Sequence, residues 1–172
     1  MTPTAALQLL ASLGAPPWLI RHHELVLEAA ELLCGGIARE IGIEFDRERV
    51  LAGAALHDAG KIEHPAEMRE PGHAHESAGR ALLLRAGVSA DVSRFCTTHA
   101  AWDAPDSTIE DLLVALADKL WKGKRDQALE ERVAEACARV TGRERWAVFA
   151  KLDEICESIA ANGPDRLSRS NV

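Results

Sequence analysis

Residues 50–64, VLAGAALHDAGKIEH, set the terms on which this chain is read. A run of small and apolar residues ends in His57 beside Asp58. A carboxylate in apolar surroundings is costly unless a cation or a full set of hydrogen bonds meets it, so Asp58 calls for a partner. Asp46 is a suitable N-cap, and Leu51, Ala54 and Ala55 follow at helical spacing, which places the His57–Asp58 pair on that helix with Gly60 loosening its end. The misfit recurs at residues 112–121, LLVALADKLW, where Asp118 interrupts a helical pattern that is apolar on most sides.

Outward from this stretch the sequence reads as helix throughout. Tyr is absent, Phe occurs three times, and Ala, Leu, Glu and Arg dominate, with little period-two alternation. A short helix over 4–13 ends at Gly14, and Pro16-Pro17 opens a longer one to about 41, with Gly42 as its stop and Gly35-Gly36 as a place to kink. Residues 62–72 are polar with two prolines and read as a surface loop. Helices are expected over 75–86 and from Ser89 to about 100. Ser107 with Glu110 fits a capping box for a helix through Leu112, Leu113, Leu116 and Leu120. Two amphipathic helices over 127–140 and 144–161 read as scaffold, the second carrying Phe149, Leu152, Cys156 and Ile159 on one stripe. The tail from Gly163 is expected to fray.

Composition narrows the function. The chain has 172 residues, 47 % hydrophobic and 27 % charged, enough for one core, and its net charge of −7 argues against coating a nucleic-acid duplex. No leader pattern opens the sequence and no apolar run approaches about 18 residues, so a cytoplasmic protein without membrane contact is expected. Cys34, Cys96, Cys137 and Cys156 are scattered without a C-x-x-C pair and read as buried, reduced thiols.

Four histidines complete the pattern around the two aspartates: His22, His57, His75 and His99, each expected on a helix. Helices that pack as a bundle can aim imidazoles and carboxylates at one point, which is how bundle proteins build metal sites. Nitrogen and oxygen donors without thiolate suit Fe, Mn, Co, Ni or Zn, with Mg also admissible. Two carboxylates and four neutral imidazoles carry −2, so one divalent ion is neutralised and two leave +2. That surplus suits a hydroxide and an incoming phosphate, held between ions about 3.5–4 Å apart.

The arrangement resembles the HD superfamily of metal-dependent phosphohydrolases. The likeness rests on His22 in IRHHELVLEAA, His57-Asp58 in AALHDAGK and Asp118 in VALADKLW, with HESAG at His75 and CTTHAAW at His99 between them. It implies an all-α, single-domain helical bundle of the HD-domain type, with an HD-like core over about 18–124 and C-terminal helices over about 126–162. It further implies that His22, His57, Asp58 and Asp118 hold a principal ion and that His75 and His99 complete a second site. The family spacing to Val26 and Ala30 favours His22 over His23, which becomes an outward-facing neighbour. The activity implied is hydrolysis of a phosphate ester, a nucleotide among the options, by metal-activated water, with Asp58 bridging or orienting. Two other readings use the same scaffold: a diiron oxygenase, and a ligand-sensing module without turnover, the intact ligand set counting against the latter.

Other residues near the set are read against plainer roles. Lys61, three positions after Asp58, is a candidate to meet the phosphate of a small phosphorylated substrate. Lys119, Lys122, Lys124 and Arg125 read first as a helix C-terminus complementing its dipole. His64 and His73 read as solvated, Trp102 and Trp121 as core aromatics, and Cys96 as packing. Metal identity, ion number, substrate and oligomeric state stay open.

Overall fold

The computed structural model describes residues 1–171, and every regular element among them is helical. The elements are α1 (Pro3–Ser12), α2 (Pro17–Gly36), α3 (Arg47–Ala54), α4 (Ala74–Arg85), α5 (Ala90–Ser93), α6 (Phe95–Thr98), α7 (Ile109–Leu120), α8 (Gln127–Thr141), α9 (Arg145–Ala161) and α10 (Gly163–Arg169). One π turn extends α2 over Ile37–Ile41, and 3₁₀ turns occupy Ala59–Ile62 and Pro65–Met68. The segment 62–72 read as a plain loop therefore begins on the last residue of one 3₁₀ turn and contains the other.

Two apolar clusters hold the bundle together. The larger joins α2, α3, α7, α8 and α9 through residues such as Leu25, Leu33, Val50, Leu116, Leu129 and Leu152. The smaller gathers Leu10, Leu19, Leu56, Leu83 and Cys96 beneath α1 and α4. On α2, Leu19 belongs to the smaller cluster and Val26 to the larger. His22 lies between them at helical spacing and is carried into the seam. Leu56 and Ala59 of the smaller cluster bracket His57 and Asp58 in the same way.

Three local expectations are corrected. Helix α3 stops at Ala54, so His57 and Asp58 stand in the turn after it rather than on it, and His99 lies one residue past α6. The residues between Ser89 and 100 form two short helices, not one. The capping box of α7 is shifted by one: Thr108 caps, accepting the Asp111 N–H, while Asp111 accepts the Thr108 N–H. Tertiary partners decide between the overlapping boxes. Asp111 is also taken by Thr98 Oγ1 (2.7 Å) and Arg94 (2.9 Å), whereas Glu110 is drawn away to the Asp46 N–H (3.1 Å) and Arg49 (2.7 Å).

Within the tail, Gly163–Arg169 forms a helix rather than fraying, while Val172 lies outside the described residues. Pro164 begins α10 in a position where its missing N–H costs nothing, and Arg166, 1 % exposed, bonds Glu28 of α2 (2.9 Å) and the Ile159 carbonyl (2.9 Å). Arg169 adds bonds to the same glutamate, and Arg21 of α2 donates back to the Arg169 carbonyl. Charge-assisted bonds to a partner far back in the chain, not local propensity, fix this helix.

One close approach sets the site. The 3₁₀ turn after Asp58 runs against α4, where a Cβ on Gly60 would lie 1.8 Å from the His75 carbonyl oxygen and one on Gly79 would lie 2.7 Å from Gly60 N. Only glycine at both positions lets the backbones meet, and that contact brings His75 alongside Asp58.

Candidate metal centre

Asp58 is the hub. Its side chain is 4 % exposed, and its two oxygens face different partners. Oδ2 lies 3.2 Å from His22 Nε2 and 3.5 Å from His57 Nε2, and it accepts from Lys61 Nζ. Oδ1 lies 3.2 Å from His75 Nε2 and 3.6 Å from His99 Nε2. Asp118 closes the first group, with Oδ1 at 3.6 Å from His57 Nε2. All six residues singled out as ligands thus converge, from α2, the turn after α3, α4, the residue after α6, and α7.

The imidazoles are set for lone-pair donation inward. His57 Nδ1 faces the Ala54 carbonyl (3.1 Å) and His99 Nδ1 the Phe95 carbonyl (2.9 Å). A carbonyl only accepts, so each Nδ1 carries the proton and each Nε2 presents its lone pair to the centre. His75 Nδ1 bonds the carboxylate of Glu67 instead. Such outward bonds orient histidine ligands and fix their tautomers.

Several inward atoms have no hydrogen-bond partner of proper geometry among the described residues: His22 Nε2, His57 Nε2 and Asp58 Oδ1, all buried. Buried polar atoms left unpaired are unusual, and here they are electron-rich and aimed at one another. A divalent cation satisfies them together, so the donor set fits a metal. Two overlapping triads have donor atoms close enough for a common ion, His22–His57–Asp118 and His57–Asp58–His99. His57 belongs to both, but its Nε2 lies on the Oδ2 side of Asp58 and within 3.6 Å of Asp118, which associates it with the first.

Protonation follows the same logic. Burial raises and imidazoles lower the Asp58 and Asp118 carboxyl values; the imidazoles win, and both lie below the usual range, Asp58 well below. Burial pushes His22 down against the pull of Asp58, and burial with neighbouring His57 takes His99 to about 4. His57 is raised, because Asp58 and Asp118 outweigh its burial, and His75 is raised first by the nearby Asp58 carboxylate. Glu67 is lowered to about 2, first by the main-chain N–H of His75.

His23 is not an outward neighbour. It is fully buried, with Nδ1 donating to the Leu19 carbonyl (2.9 Å) and Nε2 accepting the Asp58 main-chain N–H (3.3 Å). Both nitrogens are used, so it has no lone pair for an ion; it holds the backbone of the hub. On a helix with two adjacent histidines facing the seam, sequence spacing alone gave no sign of this second role.

The family model for the HD domain matches residues 19–122. The chain belongs to the HD-domain family. Comparison with curated proteins and with solved structures finds no match. The matched span runs from α2 to the residues just after α7 and contains all six converging residues. The HD domain with its clustered histidines and aspartates supports a metal-dependent hydrolase activity.

A cavity of about 460 Å³ opens on the HD-domain centre, lined by His22, Asp58, His75, His99 and Asp118 and by Lys61, Lys119 and Lys122. Lys122 Nζ lies 3.6 Å from Asp118 Oδ2. Arg125 turns away to Glu130, Asp153 and Glu157, so the basic run divides, Lys119 and Lys122 facing the cavity and Arg125 bracing α8 and α9. Trp121 is buried and packs edge-on against His22 (5.2 Å between centroids) while lining the cavity, and Trp102 packs against the larger core. His73 is at the cavity mouth, exposed and bonded to Glu76, and His64 is outside it. Cys96 donates to the Leu56 carbonyl (3.5 Å), its thiol pushed by burial to about 12, and plays a packing part. Among the described residues no helix is long and apolar enough to cross a membrane.

Proposed function

We propose that this HD-domain protein hydrolyses a small phosphate ester, with nucleotides as one candidate class. The observation that carries the reading is the Asp58 carboxylate divided between two histidine groups at the floor of a cavity whose rim bears three lysines. His22, His57, Asp118 and Asp58 Oδ2 would hold one divalent ion, and His75, His99 and Asp58 Oδ1 a second. Ions there supply Lewis acidity toward a phosphoryl oxygen and make water a usable nucleophile near neutral pH.

The protein's own residues account for binding and orientation. Lys61 is held over the floor by its bond to Asp58 Oδ2 and is the ammonium nearest the converging ligands, placed to meet a phosphoryl oxygen. Lys119 and Lys122, on the last turn of α7 and just beyond it, add positive charge at the mouth, which concentrates an anion despite the negative net charge of the chain. The cavity suits a small molecule rather than a polymer. This cationic lining favours a phosphorylated substrate over dioxygen chemistry on the same scaffold, and the complete ligand set favours turnover over sensing alone.

The test is to purify the protein, measure bound metal, and screen nucleotides and phosphomonoesters under anaerobic and aerobic conditions. Phosphate release that needs added metal and disappears in His57→Ala and Asp58→Ala is expected. Activity untouched by either change rejects the assignment, and oxygen-dependent turnover without phosphate release favours the oxygenase.

A further inference from the structure

The three imidazoles that bond outward through Nδ1 have unequal acceptors. His57 and His99 use main-chain carbonyls of their own turns, Ala54 and Phe95. His75 uses the carboxylate of Glu67, which stands on a separate element, the 3₁₀ turn Pro65–Met68. The same carboxylate accepts the main-chain N–H groups of Ala74 (3.2 Å) and His75 (3.0 Å), so one side chain fixes both the first turn of α4 and the ring that α4 carries. Gly72 leaves it room: a Cβ there would lie 2.5 Å from Glu67 Cδ and from Oε1. Met68 and Gly72, both within the stretch of chain that this bond closes, line the cavity.

We propose that Glu67 is a positioning residue for the second of two divalent ions. It locks the His75 ring with Nε2 toward Asp58 Oδ1 and strengthens that nitrogen as a donor. The half of the centre built from His75, His99 and Asp58 Oδ1 is thereby tied to the cavity wall. The other half stands on α2, α7 and the turn after α3, with no carboxylate behind its histidines. The two ions are therefore separable, and the second answers to Glu67 alone. This rests on the metal-dependent reading of the site but not on the reaction it catalyses.

The test uses the full chain, stripped of metal and titrated with Co²⁺, following visible absorption and, by equilibrium dialysis, ions bound per chain. Wild type takes two ions. Glu67→Gln is expected to bind the first unchanged and the second about 10- to 100-fold more weakly, the usual cost of losing such an outward partner. Gly72→Ala keeps the carboxylate but displaces it, and is expected to produce the same split. A role confined to capping α4 predicts instead a lowered melting temperature of the metal-free protein with both ions retained. The proposal is overturned if wild type takes one ion, if both variants bind two ions as wild type does, or if the two ions weaken equally. Two ions with the expected split but no phosphate release sinks the hydrolase reading and leaves this one standing; phosphate release with both ions indifferent to Glu67 does the reverse.

Discussion

Adjacent His22 and His23 offer the sharpest test of how the centre is built. Truncating either to Ala removes the same imidazole from a site that is at most 6 % exposed, so the cavity and transfer costs are similar and largely cancel in the comparison. What differs is the bonding. His23 accepts the Asp58 main-chain N–H in a fully buried position, and its loss leaves that donor unsatisfied, at a cost of about 1–3 kcal/mol. Neither ring nitrogen of His22 has a hydrogen-bond partner of proper geometry, so its loss orphans nothing. The metal-free His23→Ala protein is therefore expected to be less stable than metal-free His22→Ala by about 2 kcal/mol. For a chain of this size that is a difference of roughly 4–8 °C in melting temperature. Metal binding is expected to invert the order: His23→Ala still takes up the wild-type number of ions, while His22→Ala loses one. Calorimetry in chelator, followed by metal analysis after reconstitution, reads both quantities. The reasoning is refuted if His22→Ala is the less stable metal-free protein, or if His23→Ala loses an ion while melting as wild type does.

Three further outcomes follow from the same geometry. In the metal-free protein His22, His23 and His99 lie below the ordinary imidazole value of 6.5, His23 well below, so the unfolded chain binds more protons there and their contribution is lost as pH falls below 6.5. His57 and His75 are raised and act oppositely, their contribution present below 6.5 and lost as pH rises. The net expectation is a melting temperature in chelator that declines from pH 6.5 to 4.5, with a shallower decline in His23→Gln; a maximum at pH 4.5 contradicts it. Gly60→Ala places a methyl 1.8 Å from a backbone oxygen of His75, which cannot rotate away, so α4 must shift; metal titration is expected to show the His75–His99 half failing first. Arg166→Ala removes a charge-assisted bond to Glu28 and a bond to the Ile159 carbonyl, costing about 1.5–3 kcal/mol by urea unfolding while ion binding stays intact.

Much of this was legible in one dimension. Helix periodicity, the Pro and Gly boundaries and the HD-like motif placed α2, α4 and α7 within a residue or two and brought out six residues that the structure does draw together. The misses share a physical origin. Thr108 and Asp111 cap α7 because Thr98 and Arg94 claim Asp111 from another element, which no local pattern encodes. The ordered tail depends on Glu28, and the buried role of His23 on a main-chain N–H thirty-five residues away. Glu67 lay in a polar segment where a carboxylate is unremarkable, and it acquires meaning only once α4 folds back beside the Pro65–Met68 turn.

The end of α3 is where fold and chemistry meet. Neighbouring residues on an α-helix point about 100° apart, so a His-Asp pair kept within a helix would aim its two side chains apart rather than at one point. Here the helix stops at Ala54, and the chain turns until Asp58 adopts φ −103° and ψ 18°, outside the regular helical range. Both side chains then face the seam. The His57 ring still donates to Ala54, the last residue of the helix it has left, while the Asp58 N–H, released from the helical ladder, is taken by His23. The glycine that follows admits α4 at backbone distance and with it His75 on the far side of the carboxylate. The small residues of 50–64 are thus not filler before a motif: breaking the helix there is what gives one aspartate two faces, and hence what lets a single carboxylate meet both groups of histidines.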